Sequence, residues 1–409
     1  MRSKAIESSI GNVLNLFVMS KFKLSGGEII TPERNLGIGT VLVEDGTIVG
    51  VSAGAVETTD FEDIPVGGHY VMPGFIDVHT HGAGDADFMD CSEEACLTIA
   101  REHARHGTTL LFPTTLAADT AEMLRFLEVY HRVRNQKAGA AFGGLHLEGP
   151  YFAHEFRGAQ DPKYLKDPTP EDYCPILEAS EDIKRWSIAP ELPGALTLGR
   201  LLTKRGILPS IAHTSALYPD VLEAYEAGFT LMTHFYSCMN GVVRRNGFRY
   251  AGCIEAGYLI DGMDLEVIAD GIHVPAELLR LIIKIKGTDR VILCTDSMRG
   301  AGMPDGTSSI LGSRERGQEV LIEGGVAKMP DRSCFAGSVA TTDRLLRTMH
   351  FLAGQPLTAA TAMLTVNPSR VMGLAHRKGR IQPGYDADLV VCSKELFAIQ
   401  TYVMGERVF

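Results

Sequence analysis

The chain has 409 residues, of which 45% are hydrophobic and 22% charged, and its formal net charge is -11. This composition excludes a disordered chain and leaves room for one large globular domain and a smaller one. The acidic balance argues against a surface for nucleic acid or anionic membranes, although one or two local arginines can still hold an anionic small molecule.

Cysteine usage and apolar patterning predict the compartment. Eight cysteines occur without any C-x-x-C pair, which is typical of reduced core thiols rather than of disulfides or a zinc finger. The apolar stretch 13–20 is interrupted by Asn15 and lacks a small-residue cleavage pattern, so we predict no signal peptide there. No run reaches the roughly 20 apolar residues of a membrane span. We therefore predict a cytoplasmic protein.

Alternating short strands and longer helices dominate the chain after a β-rich start. Residues 35–71 predict short strands with turns at 44–46 and 67–68, and helices are predicted to begin near Ser92, Pro170 and Pro275. Eight apolar or β-branched runs predict parallel strands, and they are 75–78, 108–112, 142–147, 186–189, 207–212, 229–233, 265–269 and 291–295. Eight is the number that a closed (β/α)8 TIM barrel needs.

Loops and chain ends complete the predicted organisation. Residues 299–332 are rich in Gly, Ser and Pro and predict long loops with a hairpin over the active-site face of the barrel. Residues 379–409 predict strands like those near the start, and the two ends are expected to pair. We predict an α/β chain with a barrel domain at 73–376 and a small β-sandwich domain formed by 1–72 plus 377–409.

Two histidines end the apolar run PGFIDVHTHG at 73–82, with one residue between them. Because side chains alternate faces along a strand, His79 and His81 point to the same side. Imidazole is the commonest ligand for zinc-like metals, and a pair at a strand end can bind one ion with little ordering cost. The motif predicts half of a metal site, with Asp77 hydrogen-bonded near it.

Further metal-compatible side chains follow other predicted strands. Glu148 follows the third, His213 the fifth, His234 the sixth and Asp296 the eighth. Each residue alone has an ordinary structural explanation, such as a helix cap, a salt bridge or a buried histidine. Barrel enzymes, however, place catalytic groups at the carboxyl ends of their strands, so the joint arrival of these side chains there predicts a metal centre.

The residue types indicate hydrolysis. One carboxylate and two neutral imidazoles, from Glu148, His213 and His234, form a three-ligand set with an open position, which is typical of catalytic zinc. Asp296 is expected next to the water at that position, where a carboxylate can take its proton. His273, in the loop after the seventh strand, is either a substrate contact or a surface residue. We predict packing or surface roles for the remaining histidines discussed, His103, His106, His131, His146, His154 and His350.

These motifs resemble those of the amidohydrolase superfamily and, within it, the branch of N-acetylglucosamine-6-phosphate deacetylases. Beside PGFIDVHTHG, the resemblance is carried by LHLEGP at 145–150, AHT at 212–214, THFY at 233–236, ADGIHV at 269–274, TD at 295–296, AGS at 336–338 and GRIQPGYDADLV at 379–390. The first and last motifs occur across the superfamily, whereas LEGP followed by D-G-x-H is specific to this branch. The resemblance implies hydrolysis of a linear amide C–N bond in amino-sugar metabolism.

The resemblance also implies a metal arrangement. Glu148, His213 and His234 would hold the principal divalent ion, zinc in the first place and Fe²⁺ as an alternative. His79 and His81 hold a second ion in some relatives. A glutamate after the third strand, where many members of the superfamily use a carboxylated lysine, supports the same branch.

Two residues are implied as catalytic. Asp296 would take a proton from the water that attacks the acetyl carbonyl and pass it to the leaving amine, so that acetate and glucosamine-6-phosphate are released. His273 would orient the substrate and help to polarise the carbonyl.

The substrate-binding residues implied are Ser237, Cys238, Arg244, Arg245, His273, Ala336, Gly337 and Ser338. Relatives usually carry Asn-Ala-Met where this chain has Ser-Cys-Met at 237–239, and Gly-Ala-His where it has Gly-Ala-Gln at 158–160. An arginine downstream is expected to reach the substrate phosphate, often across a subunit boundary. Arg244 or Arg245 matches it, which implies a homodimer or larger homo-oligomer.

Two other functions stay open. A deacetylase of another N-acetylated amino sugar phosphate or of an N-acyl amino acid would use the same hydrolytic residues and differ in the loop 237–249. There the cluster Arg244, Arg245 and Arg249 favours an anionic ligand, although it can also be a solvated charged face. A catalytically inactive binding protein would be expected to have lost a ligand or the aspartate, and none is missing.

Overall fold

The computed structural model describes residues 21–409. The stretch 13–20, on which the signal-peptide prediction rests, lies outside the described residues, as does the beginning of the predicted small domain. Between residues 21 and 409, no helix combines the length and apolar character that crossing a membrane requires.

Eight parallel strands form the centre of the fold, and each corresponds to a predicted run. They are Phe75–Thr80, Thr108–Pro113, Leu145–Glu148, Ile183–Ile188, Leu208–Ile211, Leu231–Met232, Asp264–Val267 and Val291–Leu293. The first strand pairs with the second, and the third to eighth pair in sequence order. Parallel bridges from Thr114 to His146 and from Thr80 to Ser297 bring the second strand beside the third and the segment after the eighth beside the first.

The third strand differs from its predicted extent of 142–147. Ala141–Phe142 pairs with the second parallel strand, whereas Leu145–Glu148 pairs with the fourth. Gly143 and Gly144 separate the two pieces, and the φ of 124° at Gly144 is one that residues with a side chain rarely adopt. The strand that carries Glu148 therefore begins after the glycines.

Helices follow most of the parallel strands. The α-helices are Glu93–Ala104, Thr120–Val133, Pro170–Ala179, Ala195–Lys204, Tyr218–Glu226, Cys253–Leu259, Ala276–Lys286, Thr342–Arg347, Leu357–Leu364 and Val366–Val371. Short 3-10 turns occur at Phe88–Asp90, His154–Phe156 and Pro162–Tyr164, and a π-helical turn at Thr348–Leu352. The predicted helix starts are confirmed. Ser92 Oγ accepts a hydrogen bond from the N–H of Ala95 at 3.1 Å, and Pro170 opens its helix.

Strands from both chain ends meet in one eight-stranded sheet. Its members are Lys21–Ile30, Asn35–Glu44, Thr47–Ala53, Glu62–Pro65, Tyr70–Pro73, Leu389–Cys392, Ala398–Val403 and Glu406–Arg407. Leu389–Cys392 runs antiparallel to Tyr70–Pro73, which confirms that the two ends pair. A separate apolar cluster that includes Phe22, Val43 and Tyr402 packs within this part of the chain.

The segment after the eighth strand forms a small antiparallel sheet of Ser308–Leu311, Gln318–Glu323 and Val326–Lys328. It has one strand more than the predicted hairpin. Two further hairpins pair Gly82–Ala83 with Ala86–Asp87 and Val243–Arg245 with Phe248–Tyr250.

Candidate functional site

Five predicted metal ligands and the predicted acid/base lie together at the carboxyl ends of the parallel strands. His79 is in the first strand and His81 directly follows it, while Glu148 ends the third. The others are His213, His234 and Asp296, each two or three residues past its strand. All six residues are buried. The strand ends thus bring together groups that are far apart in sequence.

Three of these residues share an uncommon backbone conformation. The φ angles are 47° at His213, 30° at His234 and 47° at Asp296, all in the left-handed region. A non-glycine residue there costs of order 1–3 kcal/mol, and such residues cluster at functional sites. In all three cases the turn directly follows a strand and directs the side chain toward the common centre.

The ligand atoms of these side chains converge. The Nε2 atoms of His79 and His81 lie 3.3 Å apart, and those of His213 and His234 lie 3.2 Å apart. Glu148 lies between the two pairs. Its Oε1 is 3.2 Å from His234 Nε2, and its Oε2 is 3.4 Å from His81 Nε2. Two overlapping ligand sets result, and Glu148 belongs to both.

Hydrogen bonds on the far side of the rings identify the atoms that can bind a cation. His79 Nδ1–H donates to Glu266 Oε1 at 2.9 Å, His81 Nδ1–H to the carbonyl of Thr114 at 3.2 Å, and His213 Nδ1–H to the carbonyl of Phe156 at 2.8 Å. With the proton on Nδ1, a neutral ring presents a lone pair on Nε2. Between two neutral rings, lone pairs facing one another at about 3.3 Å repel, and a shared cation, either a proton or a metal ion, removes that repulsion. The donor set fits a divalent metal of the zinc type.

Charge in the site points the same way. Burial opposes ionisation of Glu148, but His79, His213 and His234 outweigh it and hold its pKa well below its usual range. Burial likewise opposes protonation of His81, yet Asp296 and Glu148 raise its pKa to about 9. Without a metal ion, a proton on His81 Nε2 therefore occupies the position that a metal cation would take. Binding of a metal ion would displace that proton.

Asp296 stands next to the first-strand histidines. Its Oδ1 is 3.1 Å from His81 Nε2 and 3.4 Å from His79 Nε2. Burial raises the pKa of Asp296, but the two histidines outweigh burial and lower it overall. Two hydrogen bonds hold the backbone of Asp296. Its N–H donates to the carbonyl of His79 at 2.9 Å, and its carbonyl accepts from the N–H of Ser338 at 2.8 Å. The carboxylate is ionised and oriented.

His273 is fixed by its own loop. Its Nδ1–H donates to Asp270 Oδ2 at 2.8 Å, and Asp270 Oδ1 also accepts from the backbone N–H of His273 at the same distance. The ring lies 4.5 Å from the ring of Phe335, centroid to centroid. Its Nε2 is left available to a ligand.

A cavity of about 330 Å³ adjoins these groups. His81, Glu148, His213, His234, Asp296 and His273 contribute to its wall, and the apolar part comes from Leu116, Ile268, Leu311 and Phe335. This volume lies in the range of small-molecule sites.

The predicted substrate residues divide into three groups. Ser237, Cys238 and Gly337 line the cavity. Ala336 and Ser338 are buried beside it, and the Ser338 hydroxyl donates to the carbonyl of Thr295. Arg244 and Arg245 are exposed on the hairpin Val243–Arg245 and do not line the cavity of their own chain.

Sequence reasoning missed a buried ion pair behind the ligands. Glu266 Oε1 accepts hydrogen bonds from His79 Nδ1–H and, at 3.1 Å, from the backbone N–H of His234. The guanidinium of Arg185 pairs with the other oxygen of Glu266, and both side chains are fully buried. The sequence signal was ambiguous, because each of these strands carries a second charged residue, Lys184 beside Arg185 and Asp264 near Glu266.

A second missed contact involves Gln160, whose Nε2–H donates to Glu148 Oε2 at 2.8 Å. His146, predicted to pack, does so within a polar network. Its Nε2 is 2.6 Å from Ser187 Oγ, and its ring lies 4.6 Å from that of His79.

Comparison with known proteins identifies the family of this chain. Residues 70–408 match the model of the amidohydrolase family. An N-acetylglucosamine-6-phosphate deacetylase of Vibrio furnissii is 32% identical over 90% of this chain and 89% of its own length. An N-acetylgalactosamine-6-phosphate deacetylase of Escherichia coli O157:H7 is 29% identical over 94% and 98%. The crystal structure of N-acetyl-D-glucosamine-6-phosphate deacetylase from Mycobacterium smegmatis superposes with a TM-score of 0.87 at 30% identity, covering 95% of this chain and all of that one. The chain belongs to the amidohydrolase family.

Proposed function

We propose that this chain is a metal-dependent deacetylase that hydrolyses N-acetylglucosamine-6-phosphate to glucosamine-6-phosphate and acetate. The observation that carries the proposal is the convergence of four imidazole Nε2 atoms and two carboxylates at one cavity. The choice of substrate is supported by the similar proteins from Vibrio furnissii and Mycobacterium smegmatis, which are named for this activity.

The metal would be held by Glu148, His213 and His234, with His79 and His81 able to hold a second ion. Zinc suits this mixed nitrogen and oxygen set, and Fe²⁺ is the alternative. When bound, the metal supplies a Lewis acid that polarises the acetyl carbonyl and lowers the pKa of water.

The chain's own residues move the proton. Asp296, ionised and held at its backbone, accepts a proton from the attacking water and then donates it to the amine nitrogen as the C–N bond breaks. His273 presents Nε2 to the cavity. A neutral ring accepts a hydrogen bond there from a sugar hydroxyl, whereas a cationic ring donates one to the acetyl oxygen.

Phosphate is best bound by lysine or arginine, and among residues 21–409 neither type lines the cavity of one chain. Ser237, Cys238 and the loop 336–338 would hold the sugar, and Arg244 or Arg245 would reach the phosphate of a substrate in a neighbouring copy. This arrangement requires a homodimer or larger assembly. The exposed Phe248 on the same hairpin, 70% accessible, supports burial against a second chain.

We propose for this enzyme the domain organisation that the sequence predicts. The eight strands would close as a (β/α)8 barrel spanning residues 73–376, and the chain ends would form a small β-sandwich domain from 1–72 plus 377–409. The eight free cysteines support a reducing compartment, which in a cell is the cytoplasm.

The epimer of the sugar is the main competing assignment. The Escherichia coli relative is named for the galactosamine compound and matches over nearly its whole length. Both activities would use the same metal ligands and Asp296, so the loop 237–249 has to discriminate between the epimers.

The test is acetate release by chelator-stripped protein before and after addition of zinc. Four substrates are compared: the 6-phosphates of N-acetylglucosamine and N-acetylgalactosamine, unphosphorylated N-acetylglucosamine, and an N-acetyl amino acid. Zinc-dependent turnover that favours the glucosamine phosphate is expected, and preference for the galactosamine compound would reassign the epimer. Zinc bound without turnover of any amide would instead support an inactive binding protein.

The arginines are tested separately. Arg244→Ala or Arg245→Ala should lower kcat/KM for the phosphorylated sugar far more than for the unphosphorylated one. Arg200→Ala, which removes an exposed arginine from the helix Ala195–Lys204, is the control. Equal losses with both sugars would remove the arginines from phosphate recognition.

A further inference from the structure

Glu148 belongs to two of the three candidate ligand sets in the described chain, the one with His79 and His81 and the one with His213 and His234. Its Oε1 is within 3.6 Å of the Nε2 atoms of His79, His213 and His234. Its Oε2 faces His81 and Gln160. The orientation of this one carboxylate therefore affects both of these ligand sets.

Gln160 is held so that its amide can have only one orientation. Its Oε1 accepts the backbone N–H of Ala117 at 2.8 Å, and its Nε2–H donates to Glu148 Oε2, also at 2.8 Å. Rotation of the amide by 180° would place an oxygen against the carboxylate and an N–H against an N–H. Both contacts would then be repulsive. The side chain is only 5% exposed, so water does not readily substitute for either contact.

The main chain of Glu148 is held by a separate hydrogen bond, in which its backbone N–H donates to the hydroxyl oxygen of Thr115 at 3.1 Å. That contact fixes the main chain but leaves rotation about the side-chain bonds free. Among the described residues, Gln160 is the neutral side chain that donates a hydrogen bond to the carboxylate. An N–H group at this oxygen restrains the carboxylate without adding charge that would repel a cation.

We propose that Gln160 is a positioning residue of the metal centre, which orients the carboxylate of Glu148 and thereby sets the affinity of the site for a divalent cation. The inference rests on the proposed metal site. It gives a role to the position at which the chain carries glutamine at the end of the Gly-Ala-Gln sequence at 158–160. Loss of such a partner of a metal ligand typically lowers metal affinity about 10- to 100-fold.

Two substitutions remove both contacts of the amide without adding charge. Gln160→Met and Gln160→Leu have apolar side chains of similar size, which neither accept the Ala117 N–H nor donate to Glu148. The matched control is Gln318→Met, because Gln318 donates to the carbonyl of Ala159 at 2.6 Å and so anchors the same loop without contacting Glu148.

The experiment titrates Zn²⁺ into the chelator-stripped, full-length protein in competition with a chromophoric chelator. The thermal midpoint of each metal-free variant is measured in parallel. Both Gln160 variants should bind zinc about 10- to 100-fold more weakly than the wild type, while Gln318→Met should bind it as the wild type does. The metal-free midpoint should fall for both Gln160 variants, because each leaves the buried N–H of Ala117 without an acceptor.

Wild-type zinc affinity in either folded Gln160 variant would overturn the positioning role and leave the proposed deacetylase intact. An equal loss of affinity in Gln318→Met would also overturn it, since the effect would then belong to the loop as a whole. If the wild-type protein itself bound no zinc, the proposed metal centre would fail, and this inference with it.

Discussion

Replacement of Arg185 should destabilise the protein by breaking the buried ion pair behind the candidate metal ligands. The guanidinium donates to Thr233 Oγ1 at 2.8 Å and to Ser210 Oγ at 3.0 Å, besides its pairing with Glu266. Neither charged side chain is exposed. Arg185→Met would leave the carboxylate of Glu266 in the interior without its counter-charge.

The expected cost of breaking such a pair is about 3–5 kcal/mol. At about 2.1 cal/mol/K per residue, a chain of 409 residues has an unfolding entropy of about 0.9 kcal/mol/K, so the thermal midpoint should fall by about 4–6 °C. Burial opposes ionisation of Glu266, but Arg185 and His79 lower its pKa below its usual range. The wild-type pair therefore stabilises the fold at pH above the unfolded pKa of 4.5 and loses that contribution as the pH falls through the lower folded value.

The assay is thermal unfolding of chelator-treated protein at pH 7 and at pH 5. The deficit of Arg185→Met should be smaller at pH 5, because the unpaired carboxyl of Glu266 can then take up a proton. The double variant Arg185→Met, Glu266→Met removes both charges and should recover part of the loss. A midpoint unchanged at pH 7, or a double variant no more stable than Arg185→Met alone, would refute the reasoning.

Three further perturbations test other parts of the structure. Asp296→Asn keeps the shape of the side chain but cannot accept a proton, so acetate release should fall about 10²- to 10⁴-fold with zinc content unchanged, and near-normal turnover would exclude Asp296 from proton transfer. Burial opposes protonation of His106, but Asp343 at 3.3 Å helps to raise its pKa to about 9. The ion pair of protonated His106 contributes fully to stability below the unfolded pKa of 6.5, and this contribution is lost as the pH rises through about 9. The difference in thermal midpoint between wild type and His106→Gln should therefore vanish above that pH. A constant difference across that range would contradict this assignment. A methyl group at Gly158, where φ is 54°, would lie 2.6 Å from Cys238 Sγ, so Gly158→Ala should displace the cavity wall and raise KM for the sugar phosphate; an unchanged KM would show that the loop adapts.

Most of the fold and the candidate ligands could be predicted because both depend on local sequence. The apolar runs identify the eight strands, and parallel strands place whatever follows them at one edge, so His213, His234 and Asp296 could be assigned to one site. The exact bounds of the third strand depend on the conformation of Gly144, which the apolar pattern does not report.

Contacts between distant side chains could not be predicted in the same way. Glu266 and Arg185 face each other only because of the order of the strands between them, and neither strand sequence identifies the partner of its buried charge. The hydrogen bond from Gln160 to Glu148 likewise depends on a loop that returns to the cavity. The proposed contact of Arg244 with a substrate in a second copy depends on assembly, which local sequence does not encode.

The sheet shared by both chain ends has a consequence for biosynthesis. Tyr70–Pro73 immediately precedes the first parallel strand and pairs with Leu389–Cys392, and the N–H of Gly74 donates to the carbonyl of Asp388 at 2.8 Å. A nascent chain that has emerged as far as the histidine pair still exposes an unpaired strand edge, which persists until Leu389–Cys392 has also left the ribosome. Truncation before Leu389 would therefore produce a chain with an open edge prone to aggregation, although every residue of the candidate active site is present.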